Sequence, residues 1–341
     1  MTSESACVSL PTAIGFCLAT SIAFVGSLYL LVPSSVRTLD RDHPSQIKWR
    51  SCATGLICFG AYGASRHLQL SCAESDGTVL VRTASVPHWA LHALTVSTKA
   101  LAHATVLYAG PIAQGAAVVA AHVRRRSNPT FTVYIKSLYG YHLEPTFRSL
   151  SFQDGDNQGW LIWRNLVIAP ALEEVAFRTC MVPVLLASGL RAGAVCWVAP
   201  LFFGIAHVHH AVQRLREGRT APTTVVVQTA FQFTYTTLFG AYAAYVYMRT
   251  RSTVAVTILH GFCNWMGLPH FLFLSQKHVL HEHRRVLLVA HAIGVIGFGA
   301  LLFRGYPVGV LESRWAFLRA GERVTLFSTA RDILIMMIKY I

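Results

Sequence analysis

An apolar stretch that carries two adjacent carboxylates constrains this chain more than any other feature. The stretch is residues 160–187, WLIWRNLVIAPALEEVAFRTCMVPVLLA. Glu173 lies about 20 Å of helix rise from Trp160, deep inside an apolar slab about 30 Å thick. A carboxylate at that depth costs at least about 2.5 kcal/mol, so two adjacent ones require a structural or chemical reason.

Helical geometry gives the two carboxylates different surroundings. Glu174 and Arg178 are four residues apart and share one face, so we expect them to form a buried ion pair. Glu173 lies about 100° around the helix from Glu174 and is free to face a different cavity. A purely structural ion pair therefore explains Glu174 and Arg178, but it leaves Glu173 without a partner.

The composition predicts a polytopic membrane protein. Of the 341 residues, 53% are hydrophobic and 13% are charged, whereas about a quarter of the residues in a soluble chain are charged. Several apolar runs of spanning length predict an all-α fold with about eight transmembrane helices. The net charge of +14 lies mostly in short loops between these runs, where membrane topology explains it better than nucleic-acid binding. We therefore expect the lipid bilayer as a partner and no nucleic acid.

Eight apolar runs are expected to cross the membrane. The third run is too long for one perpendicular span, so we expect a tilted helix preceded by a surface segment. The second run is short, and residues 65–86 after it are expected to form a loop. The runs are residues 11–32, 51–64, 86–123, 160–187, 192–211, 223–248, 253–269 and 285–303.

A single membrane-embedded domain is expected over residues 1–341. Its parts are N-terminal spans at 11–123, a connecting region at 127–159, a motif-bearing core at about 159–270, a last span at 285–303 and an interfacial tail at 304–341. Lys and Arg are more frequent in the loops on one side of the bilayer, and this excess predicts that the richer side faces the cytosol.

Three further polar side chains lie in the apolar runs. His207 ends the fifth run, and His260 and Asn264 lie four residues apart on one face of the seventh. Taken singly, each is better explained as a residue that forms hydrogen bonds between helices than as a catalytic group. Together with Glu173 they come from three helices, and one shared water-filled cavity would satisfy all four.

These groups suit the hydrolysis of an amide. A carboxylate beside an imidazole can deprotonate a water molecule and pass the proton to the leaving amine. Imidazole and amide N–H groups on one helix face can stabilise a developing oxyanion. The chain has no GxSxG sequence and no Ser beside these groups, so direct attack by water is expected. Cys180 and Cys263 lie close to the motifs, but a lone membrane cysteine is more often an apolar filler than a nucleophile.

The motifs around these residues resemble those of the type II CAAX prenyl endopeptidases, a family of glutamate-dependent intramembrane proteases. The likeness covers roughly residues 159–270, and the remainder of the chain matches only in hydropathy. The matching segments are EEVAFR at 173–178, FFGIAHVHH at 202–210 and HGFCNWMGLP at 260–269, for the family's EExxxR, FxxxAHxHH and HxFCNxMG.

The resemblance implies a protease of eight helices in the endoplasmic reticulum membrane, with an active site that is accessible from the cytosol. Such an enzyme removes the last three residues from farnesylated or geranylgeranylated CaaX proteins, small GTPases among them. It uses no cofactor. The implied site residues are Glu173 and His207 for water activation, His260 and Asn264 for the oxyanion, and Glu174 and Arg178 for structural support.

Two alternatives stay open from the residues alone. A zinc protease would use Glu173, His207 and His260 as ligands, since two His and one Glu form a known catalytic zinc set. Against zinc, the chain has no HExxH motif, and Asn264 would have no role. A transporter would use buried Glu, Arg and His as a proton or ion relay, but the sequence has no repeated halves and no paired broken helices.

Overall fold

The structure is a computed structural model that describes most of the chain. The described residues are 7–76, 86–124, 158–218 and 220–304. The expected connecting region at 127–159 lies outside the described residues, except for its last two. The expected interfacial tail at 304–341 also lies outside them, except for Arg304.

Every regular element in these four ranges is a helix, which confirms the all-α prediction. Five consecutive segments form one continuous helix, α6: Gln158–Trp163, Arg164–Ile168, Ala169–Glu174, Val175–Cys180 and Met181–Ala187. The other helices are α1 (Leu10–Leu30), α2 (Ser34–Arg37), α3 (Pro44–Asp76), α4 (Val86–Leu107), α5 (Ala109–Arg124), α7 (Ala192–Ala206), α8 (His209–Glu217), α9 (Pro222–Thr250), α10 (Thr253–Met266) and α11 (Arg284–Phe303), with 3-10 turns at Leu272–Leu274 and His281–His283.

Several of these helices are long and apolar enough to cross a membrane, which confirms a multi-pass membrane protein. Within the described part of the chain they are Leu10–Leu30, Ala192–Glu217 and His281–Phe303. The bent pair α4 and α5 is a fourth candidate if it counts as one span. By contrast, α10 has 14 residues and is about 21 Å long, less than an apolar core of about 30 Å. The count of eight spans stays a prediction.

The third apolar run, residues 86–123, forms two helices, α4 and α5, with a bend of 72° between them. The expected surface segment followed by a tilted helix stays a prediction. Pro111 has no N–H, and its ring collides with the helical carbonyl four residues earlier, which belongs to Leu107. One helix therefore ends at Leu107 and another begins. Gly110 lies against the ring of His291 on α11, so closely that no Cβ would fit.

The second expected span, residues 51–64, is too short, because α3 continues through part of the expected loop to Asp76. Polar contacts support this extension. The Ser65 hydroxyl donates to the carbonyl of Cys180 on α6 at 2.8 Å, and Gln69 Nε2 donates to the Ser65 hydroxyl at 3.0 Å. These polar side chains favour a loop when only the local composition is considered. Composition does not show that a neighbouring helix supplies their hydrogen-bond partners.

The core forms where the second half of α6 packs against α1, α3, α7 and α9. Phe177, Met181 and Leu185 of α6 are almost completely buried, as are Tyr245 and Met248 of α9. This part of α6 directly follows the paired glutamates in sequence. Packing of the core therefore fixes the position of both carboxylates within the helix bundle.

Two π-helical segments of α6 flank the paired glutamates, and the first is Arg164–Ile168. In this segment the Ala169 N–H donates to the carbonyl of Arg164, five residues earlier. Pro170 has no N–H to donate. The Asn165 carbonyl therefore has no helical donor, because Ala169 donates elsewhere and Pro170 cannot donate. Widened turns of this kind are frequent at functional sites.

Helix α10 packs directly against the widened turn of α6. Pro170 also deprives the Leu166 carbonyl of its usual helical donor, and this oxygen lies where a Cβ on Gly261 would collide with it. Three residues later on α10, Asn264 donates its side-chain Nδ2 to the Asn165 carbonyl at 2.9 Å. Backbone oxygens that the proline exposes thus hold α10 against α6.

Replacing Gly261 by Ala should destabilise the protein by about 1–3 kcal/mol, because the added methyl group overlaps the Leu166 carbonyl. Unfolding of the purified protein in detergent measures the effect. Gly60→Ala on α3 is the control: nothing lies within 4 Å of its Cβ position, so its stability should stay the same or rise slightly. A Gly261→Ala protein as stable as wild type would contradict this packing.

Candidate active site

Glu174 is completely buried and has two partners. It is 0% exposed. Its Oε1 lies 3.1 Å from Nη1 of Arg178, one turn later on α6. The same oxygen lies 2.8 Å from Nδ1 of His260 on α10. The expected pair between Glu174 and Arg178 therefore forms, and His260 connects this pair to a second helix.

Arg178 is enclosed by aromatic rings and is 1% exposed. Its guanidinium carbon Cζ lies 4.7 Å from the ring centroid of Phe203 on α7 and 5.7 Å from that of Phe239 on α9. A desolvated cation over an aromatic face is stabilised by about 2 kcal/mol. The buried ion pair thus joins α6 to the neighbouring helices, and neither charge is available to a ligand.

Glu173 has different surroundings from Glu174, as the helical geometry predicts. Its side chain is 20% exposed, and it lines a cavity. Its Oε2 lies 3.6 Å from Nε2 of His260. Since Nδ1 of this ring contacts Glu174, each ring nitrogen of His260 faces a carboxylate oxygen. His260 therefore links the buried glutamate to the accessible one.

The cavity beside Glu173 has a volume of about 130 Å³. That is enough for several water molecules, since one needs roughly 10–15 Å³. Part of its wall is apolar and includes Phe24, Ile47 and Leu172. Its polar lining residues are Arg41, Arg50, Ser51, Thr54, Arg164, Glu173, His207, His209 and His210.

His207 follows α7 and lines the same cavity as Glu173. Its Nδ1 lies 2.8 Å from the carbonyl of Phe203. A carbonyl only accepts, so Nδ1 carries the proton in this contact and the neutral ring keeps Nε2 as a base. The ring also packs edge to face on Phe203, with 4.6 Å between centroids. A fixed imidazole base and an accessible carboxylate thus line the same cavity.

Asn264 and His260 do not line this cavity, so the expectation of one cavity for all four groups holds only for Glu173 and His207. Asn264 is exposed, and its amide binds the Asn165 carbonyl because the π-helical turn leaves that oxygen without a helical donor. His260 is buried behind Glu173. The catalytic roles of His260 and Asn264 stay predictions.

Sequence reasoning missed the arginines of this cavity. Arg41 and Arg50 are expected only as loop charges, yet Arg50 lies on α3 and both line the cavity. Arg164 joins them from α6 and pairs with Asp42 at 2.7 Å. These residues lie outside the three motifs, and only the packing of α3 against α6 brings them together. No local sequence signal identifies them.

The two motif cysteines do not support a thiol nucleophile. Cys180 is completely buried and lies outside the cavity lining. Cys263 is partly buried and also lies outside it. Apolar packing explains Cys180, as expected for a lone membrane cysteine.

The zinc alternative also gains no support from the positions of its donors. In residues 7–76, 86–124, 158–218 and 220–304, no three His, Cys, Asp or Glu side chains are grouped so that they could hold a metal ion. His260 has each ring nitrogen directed at a carboxylate. Metal independence itself stays a prediction.

The segment that carries these residues is similar to known proteins. Residues 155–266 match the family model described as Type II CAAX prenyl endopeptidase Rce1-like. CAAX prenyl protease 2 of Homo sapiens is 42% identical over 143 residues, which cover 42% of this chain and 41% of that protein. Probable CAAX prenyl protease 2 of Schizosaccharomyces pombe is 42% identical over 109 residues, or 32% of this chain and 40% of that protein. No solved structure matches the chain.

Similarity extends to plants: CAAX prenyl protease 2 of Arabidopsis thaliana is 37% identical over 144 residues, 42% of this chain and 43% of that protein. The chain thus spans about two fifths of the length of the curated relatives that it matches. These matches confirm the resemblance to type II CAAX prenyl endopeptidases over this segment. Every predicted site residue, from Glu173 to Asn264, lies within residues 155–266.

Glu174→Gln should destabilise the protein by about 3–5 kcal/mol, because it leaves the buried Arg178 without a counter-charge. The unfolding midpoint of the purified protein in detergent measures this loss. Glu217→Gln makes the same change at an exposed position on α8 and should alter stability by less than about 0.5 kcal/mol. A stable but inactive Glu174→Gln protein would mean that the roles of Glu173 and Glu174 are exchanged.

Proposed function

We propose that the chain is an intramembrane endopeptidase that removes the C-terminal three residues from prenylated CaaX proteins. The observation that carries this proposal is that Glu173 and His207, from α6 and the end of α7, line one cavity. A carboxylate and an imidazole base around a water-filled space suit the activation of water for amide hydrolysis. The similarity to proteins named CAAX prenyl protease 2 supports the same reaction class.

In the proposed reaction, a water molecule lies between the carboxylate of Glu173 and Nε2 of His207. Glu173 accepts one proton from the water as its oxygen forms a bond to the scissile carbonyl carbon. The carbonyl oxygen takes up the electron pair and becomes an oxyanion. When this intermediate collapses, the carbonyl re-forms and the C–N bond breaks, and the proton held by Glu173 passes to the leaving amine, either directly or through Nε2 of His207. No acyl-enzyme and no cofactor take part.

The different burial of the two glutamates supports their separate roles in this reaction. Glu173 is 20% exposed and lines the cavity, so water and a peptide can reach it. Glu174 is 0% exposed and is occupied by Arg178 and His260. We assign the base to Glu173 and the support of the site to Glu174 with Arg178.

The oxyanion is proposed to be stabilised by His260 and Asn264, which lie one turn apart on α10. His260 Nε2 lies next to the carboxylate of Glu173, so it is close to the carbon that the water attacks. The Asn264 amide has two N–H groups. One of them donates to the Asn165 carbonyl, and we assign the other to the oxyanion.

A prenylated substrate suits the surroundings of this cavity. Each CH₂ of a farnesyl or geranylgeranyl chain gains about 0.8 kcal/mol in the bilayer, so the substrate reaches the enzyme from the lipid. The cavity combines apolar lining from Phe24, Ile47 and Leu172 with the polar groups around Glu173. We propose CaaX proteins such as small GTPases as substrates, in the endoplasmic reticulum membrane, with the cavity accessible from the cytosol.

Glu173→Gln should reduce cleavage of a prenylated CaaX peptide by at least about 10²–10⁴-fold, because the amide cannot accept the proton of the water. Release of the tripeptide from purified protein in lipid vesicles measures the rate. Glu282→Gln makes the same change at an exposed position before α11 and should retain full activity. Wild-type turnover by Glu173→Gln would refute the assignment of the base.

The same assay separates the metal-free reaction from zinc catalysis. Wild-type protein should keep its full rate after chelation, with no zinc detected by metal analysis. A rate that falls on chelation and returns on addition of zinc would identify a metalloprotease instead. If the wild-type protein cleaves neither the prenylated nor the unprenylated peptide, the proposed function is rejected altogether.

Asn264→Ala should lower the rate by about 10²–10³-fold if the amide stabilises the oxyanion. Its contact with the Asn165 carbonyl is structural, so the unfolding midpoint must be measured on the same samples. A large loss of rate in fully folded protein supports the oxyanion role. Unfolding at a lower temperature with a normal rate for the folded fraction would show that Asn264 serves only to hold α10 against α6.

A further inference from the structure

Three arginines line the cavity beside Glu173 and have no role in the proposed chemistry. Arg41 lies in the turn before α3, Arg50 on α3 and Arg164 on α6. Among the described side chains that line this cavity, Glu173 is the one carboxylate against these three guanidinium groups. Like charges around a small space repel each other unless an anion lies between them. The arrangement is therefore typical of an anion-binding site.

The arginines differ in how far their charge is already neutralised. Arg164 pairs with Asp42 at 2.7 Å, and its Nε donates to the side-chain oxygen of Asn165 at 3.0 Å. Arg50 has a buried Nε with no hydrogen-bond partner among the described residues. Its guanidinium carbon lies 6.0 Å from the ring centroid of Tyr29. A buried donor without an acceptor is unfavourable, so Arg50 is the side chain that most needs a ligand.

Arg41 lies in an electrostatic environment that also favours an added anion. Although Arg41 is exposed as a residue, desolvation by the surrounding side chains lowers its pKa from the ordinary value, the neighbouring Arg164 lowers it further, and Asp42 offsets part of this effect. The guanidinium group still carries its charge, because arginine is not deprotonated in proteins. An anion between Arg41 and Arg50 would relieve the repulsion and supply acceptors for both.

We propose that Arg50, together with Arg41, binds the free C-terminal carboxylate of the peptide substrate, an inference that rests on the proposed function. Removal of three residues means that this carboxylate lies about 10 Å from the scissile amide in an extended peptide. The arginines and Glu173 line one cavity, so a peptide tail can contact both. Binding of the carboxylate then determines which amide bond lies beside Glu173, and hence how many residues are removed.

A carboxylate suits this site for two reasons. The guanidinium group presents its N–H donors in a planar fork that matches the two oxygens of a carboxylate. The arginines also share their cavity with Glu173 and with apolar side chains of α1 and α6, so a ligand bound there lies next to the candidate active site. The C-terminal tail of a peptide that is being cleaved lies in this position. A lipid phosphate offers similar oxygens, but it is held at the bilayer surface.

The test compares two prenylated CaaX peptides that differ only at the C-terminus, one with a free carboxylate and one with a carboxamide. Wild-type protein should cleave the free acid with a kcat/KM about 10- to 100-fold higher than the amide, mainly through a lower KM. Arg50→Gln should reduce kcat/KM for the acid by the same factor and leave the amide unchanged. Arg50→Lys, which keeps the charge but not the fork, should give an intermediate value.

Arg66→Gln is the matched control, because it removes the same charge from the same helix at a residue outside the cavity lining. It should preserve the discrimination between acid and amide. Arg41→Gln is the second test variant, and it should weaken the same preference. If wild-type protein cleaves both peptides equally well, or if Arg50→Gln keeps the full preference, the carboxylate site is rejected while the proposed protease function stands.

Two further measurements keep the outcome unambiguous. Unfolding midpoints for each variant identify any protein that has lost its fold, and the ratio of the acid and amide rates is independent of the folded fraction. Repeating the assay in phosphatidylcholine vesicles with and without anionic lipid tests the other source of anion. An Arg50 effect that requires anionic lipid and is equal for both peptides would assign the site to a lipid phosphate and overturn the proposal.

Discussion

The buried contact between Glu174 and Arg178 is the interaction on which the site depends. Two opposite charges in the interior are tolerated because each neutralises the other, and removing either leaves an uncompensated buried charge. Here the pair also gains a hydrogen bond from His260 and aromatic faces from Phe203 and Phe239. It thereby fixes α6, α7, α9 and α10 relative to one another. The orientation of Glu173 follows, because the adjacent residue on the helix is immobilised.

Backbone irregularity in α6 creates the second set of contacts. Pro170 and the π-helical turn before it leave the carbonyls of Asn165 and Leu166 without their usual helical donors. Asn264 supplies a donor to the first, and Gly261 allows close approach to the second. A motif that resembles an oxyanion site in sequence therefore also has a packing function. One helix face can serve both purposes because the Asn amide has two N–H groups.

The accessible groups form an asymmetric cavity. A carboxylate and an imidazole with a free ring nitrogen lie among three arginines and an apolar wall. Such a combination can activate water, bind an anionic chain end and accept an apolar chain. These three tasks are what hydrolysis of a lipid-anchored peptide near its C-terminus requires. In the proposed function, the reaction type and the substrate class are linked through the charges that surround this one cavity.

The sequence by itself determined the all-α membrane class, the pairing of Glu174 with Arg178 and the different orientation of Glu173. Composition and the helical repeat fix these features locally. Only the tertiary structure decided which distant groups meet. It extended α3 to Asp76, directed Asn264 to a backbone carbonyl and brought Arg50 into the cavity. Sequence could not predict these outcomes, because each depends on unpaired backbone groups and side chains of a neighbouring helix far away in the chain.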